Sequence, residues 1–288
     1  MRQYTIAGHT IEIFGKGLGS FPEFDFFFSG NEDKCPLLKI NSEAAVGDWA
    51  ISPFFTFGNE KAFYDLSTKE KTYLFRMKLL DDNWLWAEIR QEDNCFQAAI
   101  QQRDIISSVW LSGVCKLLFN IASLSRQTVS IHSSVVMHQG KSILFLGESG
   151  TGKSTHTALW LKYLPNTELL NDDSPFIRIE ADGSVQAYGS PWSGKIPCYK
   201  NRHTPIAAFV RLSQAPHNRI RRLKRNEAIG ALLPSFSVSL LHEKKLAESI
   251  YAIVSQALQQ TPVYHLECLP NADAVHLVYS TLIQDGFL

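Results

Sequence analysis

The segment Gly147–Thr155 reads GESGTGKST and satisfies the spacing G-x-x-x-x-G-K-[ST]. Gly147, Gly150 and Gly152 let the backbone curl closely round a phosphate, with Glu148, Ser149 and Thr151 completing the loop and successive N–H groups pointing inward. Lys153 supplies a point charge for β- and γ-phosphates, Ser154 offers its hydroxyl to a divalent cation, and Thr155 follows on the next helix, whose positive end faces the anion. A metal on the phosphates also needs carboxylates, and LLNDD brings Asp172 and Asp173 at the end of an apolar run. Adjacent residues of a strand point to opposite faces, so one aspartate can hold Mg²⁺ while the other faces an incoming nucleophile as its base. A turn or helix cap before Pro175 accounts for the same dipeptide in purely structural terms. His132 falls mid-strand in SIHSSVV, where a hydrogen-bonded core residue and a catalytic or metal-binding one read alike.

The elements around these residues have the order that phosphate binding requires. Thr128–Met137 and Lys141–Leu146 are β-rich runs joined by the turn His138–Gln139–Gly140, and the second run feeds straight into the glycine loop. Lys153–Leu164 follows as an amphipathic helix. Beyond it the pattern gives strands at residues 167–172, 175–180, 185–188, 207–214, 219–224 and 262–268, and helices at 226–233, 243–259 and 272–283. Before residue 100 the chain is a series of short β runs, beginning with YTIAGHTIEIFG, which predicts an antiparallel sheet. The aromatic cluster FPEFDFFF, Phe21–Phe28, is assigned to packing. The expected organisation is a β-rich region over 1–103, a connecting helix over 104–126 and an α/β domain over 127–288.

Twenty-eight basic residues match 28 acidic ones, which removes the bulk electrostatic case for nucleic acid or an acidic membrane surface as partner. The five cysteines are scattered and never in C-x-x-C spacing, so neither a disulfide framework nor a zinc site is expected, and a reducing cytoplasm fits. The N-terminal segment lacks the apolar run of a secretion signal. Ile105–Leu124 has the length of a membrane span, but Ser107, Ser108, Ser112, Lys116, Asn120 and Ser123 interrupt it, which predicts a buried helix.

IHSSVVMHQGKSILFLGESGTGKST followed by LLNDD resembles the catalytic domain of HPr kinase/phosphorylase and is similar to the nucleotide-binding core of phosphoenolpyruvate carboxykinase. The fold so implied is α/β (α+β overall), with a P-loop nucleotide-binding core of this type behind the β-rich region. The resemblance covers about Val129–Ile179. It implies ATP with Mg²⁺, or Mn²⁺, as cofactor; Lys153 and Ser154 on phosphate and metal; Asp172 on the metal side; and Asp173 as base on an acceptor serine. His132 corresponds to a histidine near the γ-phosphate in the first family and to a metal ligand in the second.

Two departures narrow the expectation. The signature that follows the aspartates in HPr kinases, and helps to engage HPr, is replaced by YGSPWSGK, so HPr is not the expected acceptor. Counterparts to the oxaloacetate-binding parts of carboxykinases are lacking too. GSPWSGK and VYHLECLPNADAVHLVYSTL instead look like the HPr-kinase-like proteins found with peptide-modifying systems. That likeness would put Trp192–Lys195 near the γ-phosphate or acceptor, whereas a surface loop with a packed Trp explains it equally. Arg178, Arg202, His203 and Arg211 have no spacing that separates a phosphate clamp from surface charge, and Arg219–Arg225 reads as a solvated strand face. The expected activity is transfer of the γ-phosphoryl group of ATP to a hydroxyl of a protein, peptide or metabolite. The alternative is a nucleotide- or phosphometabolite-binding regulatory module; carboxykinase activity ranks below both. HPr kinases are often hexameric, which extends the expectation to a homo-oligomer.

Overall fold

A computed structural model of the chain describes residues 1–15, 21–30, 35–47, 52–58, 62–79, 83–103 and 107–288. The protein is a mixed α/β molecule with two compact units, one comprising Met1–Arg126 and Ser239–Ala247, the other Gln127–Val238 and Glu248–Leu288.

The first unit carries β1 (Arg2–Ile6), β2 (His9–Phe14), β3 (Leu38–Asn41), β4 (Phe55–Gly58), β5 (Ala62–Lys69), β6 (Thr72–Leu79), β7 (Trp84–Glu92), β8 (Cys95–Gln102) and the helix α1 (Ser108–Leu124). These strands form one eight-stranded sheet in the order β1-β2-β3-β8-β7-β6-β5-β4. YTIAGHTIEIFG becomes the β1–β2 hairpin, turned by Ala7 (φ 50°) and Gly8 (φ 76°), the left-handed pair that matches strand twist. The sheet is not wholly antiparallel as the run of short strands predicts. β3 lies parallel to both β2 and β8, because it is entered by the long connection after Gly15 and not by a hairpin. Phe21, Phe24 and Phe27 of the aromatic cluster are buried, and of the exposed Phe26 and Phe28 the latter packs edge-on against Tyr4, with ring centroids 6.1 Å apart. The described part of the predicted connecting helix begins at Ser108; residues 104–106 lie outside the described residues. Among the described residues no helix is long and apolar enough to cross a membrane.

The second unit carries β9 (Thr128–Ser130), β10 (Ser133–His138), β11 (Lys141–Leu146), α2 (Lys153–Tyr163), β12 (Thr167–Asp173), β13 (Phe176–Ile179), β14 (Val185–Tyr188), β15 (His203–Gln214), β16 (Arg219–Arg222), α3 (Arg225–Leu232), α4 (Val238–Leu241), α5 (Lys244–Gln260), β17 (Val263–Cys268) and α6 (Ala272–Gln284), the end of α4 and the start of α5 grouping with the first unit. Strand order is β12-β10-β11-β15-β14-β13-β9, and β17 joins β15 to β16. The long β15 makes this possible: its first residues pair with β14, and its later ones lie between β11 and β17, parallel to both. SILFL of β11 is buried on both faces, as expected of an inner strand of such a sheet. Its residues Ile143 and Phe145 pack with Trp160 of α2, Tyr264 of β17 and Val275, Val278 and Leu282 of α6.

Two elements of this unit depart from the sequence pattern. The predicted strand Thr128–Met137 breaks at Ile131–His132, where the chain leaves β13's side and enters β10 between β11 and β12. Helix α2 is not amphipathic in the ordinary sense. Its buried face is Lys153, His156, Thr157 and Trp160, while Leu161 and Tyr163 are exposed. The Trp160 indole donates to His156 Nε2 at 3.2 Å, which is how a polar residue is tolerated on that face.

Candidate functional site

The glycine loop leaves the end of β11 and closes on the start of α2. Gly147 has φ 151°, and a Cβ there would lie 2.5 Å from Thr151 Oγ1, so the bend admits no side chain. Gly152, at φ 99°, forms the N-cap of α2. Lys153 is buried and turns back over the loop, its Nζ donating to Gly147 O at 2.8 Å and Glu148 O at 3.1 Å. Burial lowers its pKa from the ordinary lysine value; Asp173 and Asp172 oppose that shift and Arg211 adds to it.

β10 and β12 pair with Ser134 opposite Asp172 and Ser133 opposite Asp173. The Asp172 carboxylate is buried and accepts from Ser134 Oγ and, at 2.9 and 3.1 Å, from Ser154 Oγ. Asp173 is half-exposed, with Oδ1 3.2 Å from His132 Nδ1 and Oδ2 accepting from Ser174 Oγ at 2.6 Å. The expectation that the two aspartates face opposite ways does not hold: both line one pocket. Asp173 has φ 133°, outside the strand region, and this breaks the alternation that would separate them. Such strain in a non-glycine residue persists only where its surroundings enforce it. His132 likewise lies in the break between β9 and β10 and not mid-strand, its backbone N–H fixed on Ser235 O at 2.7 Å.

The loop after β14 completes the pocket. Ser193 bridges to Asp173 in the backbone, and Gly194 N donates to Asp172 O. A Cβ on Gly194 would sit 2.9 Å from that oxygen, which explains a glycine here. Trp192 is buried against Phe176, with ring centroids 5.8 Å apart. Fully buried Asn171 holds the loop from beneath, donating from Nδ2 to Trp192 O at 3.2 Å and Ser190 O at 3.3 Å, and accepting from Ser174 N at 2.9 Å. Ser190 Oγ adds a bond to Ser174 O at 2.6 Å.

The resulting pocket, of about 310 Å³, is lined by His132, Ser134, Ser149, Gly150, Gly152, Lys153, Ser154, Thr155, Asp172, Asp173, Gly194 and Lys195. Gly147, Glu148 and Thr151 are not part of that lining; Glu148 and Thr151 face a neighbouring cavity with Arg211. Arg211 itself donates to Ala231 O at 3.0 Å. Arg178 pairs with Glu180, Arg202 with Glu168, and His203 stacks on Tyr188 at 4.5 Å, so these three do not join the site. Arg219–Arg222 form β16, where Arg219, Arg221 and Arg222 are exposed.

Ser154 Oγ and the Asp172 carboxylate are hard oxygen donors within bonding distance of each other, which fits Mg²⁺, an ion that takes one or two protein ligands and completes its shell with phosphate oxygens and water. Among the described residues no group of three or more His, Cys, Asp or Glu could hold a metal on its own. Ser134, Asn171, Ser174 and Ser190 are the residues that sequence reasoning missed. A signal existed for Ser134 alone, since pairing SIHSS antiparallel with LLNDD sets serines opposite aspartates.

No family model matches the chain, and no curated protein does. Among solved structures it is similar to the Hpr(Ser) kinase/phosphatase from Coxiella burnetii, at 12% identity and a TM-score of 0.31, over 54% of this chain and 94% of that one. A likeness of that degree carries no functional argument.

Proposed function

We propose that this protein is an ATP- and Mg²⁺-dependent kinase that transfers the γ-phosphoryl group to a hydroxyl, of a protein, a peptide or a metabolite. The observation that carries this reading is the meeting of two sets of groups in one pocket: Lys153, Ser154 and Asp172, suited to phosphate and metal, and the half-exposed Asp173–His132 pair.

Lys153 and the loop N–H groups hold the β- and γ-phosphate oxygens and stabilise charge as it spreads over the transferring group. Ser154 and Asp172 would hold Mg²⁺, whose charge would assist them. Asp173 accepts the proton of the acceptor hydroxyl as its oxygen bonds to the γ-phosphorus and the bond from that phosphorus to ADP breaks. His132, donating from Nδ1, orients the Asp173 carboxylate. Lys195, which lines the same pocket as both aspartates, balances negative charge where acceptor and donor meet.

The test is incubation with γ-labelled ATP, Mg²⁺ and a lysate of the source, comparing the native chain with Asp173→Asn. Labelling of an acceptor should fall by roughly 10²–10³-fold in the variant, with nucleotide affinity kept. Equal labelling by both forms would remove Asp173 as base. No labelled species from the native chain, despite nucleotide binding, would favour a regulatory module.

A further inference from the structure

Beside the reaction pocket lies a second cavity, of about 460 Å³, whose groups the transfer described above does not use. The two meet at Ser149 and Gly150 of the glycine loop. Register sets the far wall: Arg211 stands opposite Leu146 of β11 and His265 of β17, so β15 carries Arg211 and Ser213 to the carboxyl ends of three parallel neighbours. The cavity lies on the side of the loop where the acceptor is expected. Arg211 donates to Ala231 O near the end of α3, and His132, the partner of Asp173, is held by Ser235 O just beyond that helix. Arg211 and Asp173 also both act on the charge of Lys153, from opposite directions.

Two opposite charges face this space without meeting. The Glu148 carboxylate has no hydrogen-bond or ion-pair partner among the described residues, and Arg211 pairs with no carboxylate there, its bond to Ala231 O leaving most of the guanidinium fork open. Glu148 is nevertheless fixed through its carbonyl oxygen, which accepts from Thr151 N at 3.2 Å, Thr151 Oγ1 at 2.9 Å and Lys153 Nζ at 3.1 Å. The other polar groups of the wall are already engaged. Ser213 Oγ and His265 Nε2 share a hydrogen bond at 2.9 Å, and Gln214 Nε2 donates to Gly150 O at 3.1 Å. An open arginine fork matches a carboxylate with two parallel bonds, and a free carboxylate matches an ammonium. A phosphate would meet Arg211 but be repelled by Glu148. A serine inside a peptide chain brings neither charge on its main chain, whereas a free amino acid brings both.

We infer that this cavity holds the charged groups of the phosphoryl acceptor, carboxylate on Arg211 and ammonium on Glu148, which makes the acceptor a free hydroxy amino acid. The inference rests on the kinase reading proposed above. The hydroxyl oxygen of the amino acid bonds to the γ-phosphorus, its proton passes to Asp173, and ADP leaves, so the product is the O-phospho amino acid. Transfer from ATP with Mg²⁺ by the full chain, followed by ADP release and by phosphorus NMR of the product, compares L-serine, L-threonine and L-homoserine. The best of them is then compared with its N-acetyl and amide derivatives and with a serine peptide capped at both ends. At least one free amino acid should be phosphorylated, and blocking either of its charged groups should lower kcat/KM about tenfold or more, as expected for a lost charge-assisted hydrogen bond. Arg211→Lys keeps the charge and loses the fork, so KM for the free amino acid should rise about tenfold with the amide derivative and nucleotide affinity unaffected. Glu148→Gln should do the same with the N-acetyl derivative unaffected. The derivatives, tested on the native chain, carry the test if a variant does not fold. Transfer to the capped peptide or to a lysate protein but to none of the free amino acids would overturn the inference and leave the kinase reading in place. Blocked derivatives that serve as well as their parent, or variants that weaken nucleotide binding and not the acceptor's, would overturn it too. No transfer to any acceptor would instead remove the kinase reading, and this inference with it.

Discussion

The two sheets handle buried polar groups in different ways. In the first unit Gln3, Glu12 and Lys39 stand opposite one another on β1, β2 and β3, with Gln3 Nε2 donating to Glu12 at 2.9 Å and Lys39 Nζ 3.3 Å from it. The row runs straight across the strands, so register alone sets these pairings, although Gln3 Oε1 stays buried without a hydrogen-bond partner among the described residues. In the second unit Ser134, Ser154, Asn171, Asp172, Ser174 and Ser190 converge at one end of β10 and β12 through hydrogen bonds that span 16 to 38 residues of sequence. Cross-strand rows cost a fold little. A polar network gathered at strand ends binds several loops together and stays costly unless every member is satisfied, and its place beside a glycine loop supports the site proposed above.

The comparison is tested most severely at Asp172. Asp172→Asn keeps the shape and removes the charge, and its amide faces two hydroxyl donors where the carboxylate accepted both. If the network exists to hold a cation and a phosphate, turnover should fall on the order of 10²–10³-fold and the Mg²⁺ concentration needed for nucleotide binding should rise. A Mg²⁺ titration identical to that of the native chain would reduce Asp172 to a structural role.

Asn171 comes next, because it supports the loop without touching the pocket. Asn171→Leu removes three bonds in a fully buried place, those with Ser174 N–H, Ser190 O and Trp192 O, while Trp192 O still accepts from Ser190 Oγ. Each such loss costs about 1–3 kcal/mol, so the second unit should lose about 3 kcal/mol in urea unfolding. As the loop carrying Gly194 and Lys195 loosens, KM for the acceptor should rise while nucleotide affinity changes little. Equal losses in both would show that the network holds the whole pocket and not the loop alone.

How much of this was legible in the sequence follows from the range of the interactions involved. The glycine loop, the strand before it and the helix after it are local patterns, and the structure places them in that order. The mixed sheet was not legible, because whether β3 pairs parallel or antiparallel depends on where a long connection returns the chain. The common pocket of Asp172 and Asp173 was hidden for another reason: alternation is the rule for a strand, and one residue at φ 133° suspends it. The break at His132 is not announced by SIHSSVV, where the polar run His132–Ser134 interrupts the alternation without saying that the strand changes neighbours. Asn171 and Ser190 read as ordinary polar residues, and only their burial together reveals their work.

The smallest effect is expected in the row across β1, β2 and β3, and it sharpens the contrast. Glu12→Gln keeps a group that can accept from Gln3 and gives up only the charge facing Lys39, whose side chain is 36% exposed against 9% for Glu12. Water already screens the lysine end of this pair, so the loss should be about 1 kcal/mol or less in the urea transition of the first unit. Turnover and nucleotide affinity should stay within twofold of the native chain, since the site as proposed draws its residues from the second unit. A loss of several kcal/mol would mean that Glu12 is desolvated as deeply as Asp172, and that a row in register can be as costly to break as a network gathered from loops.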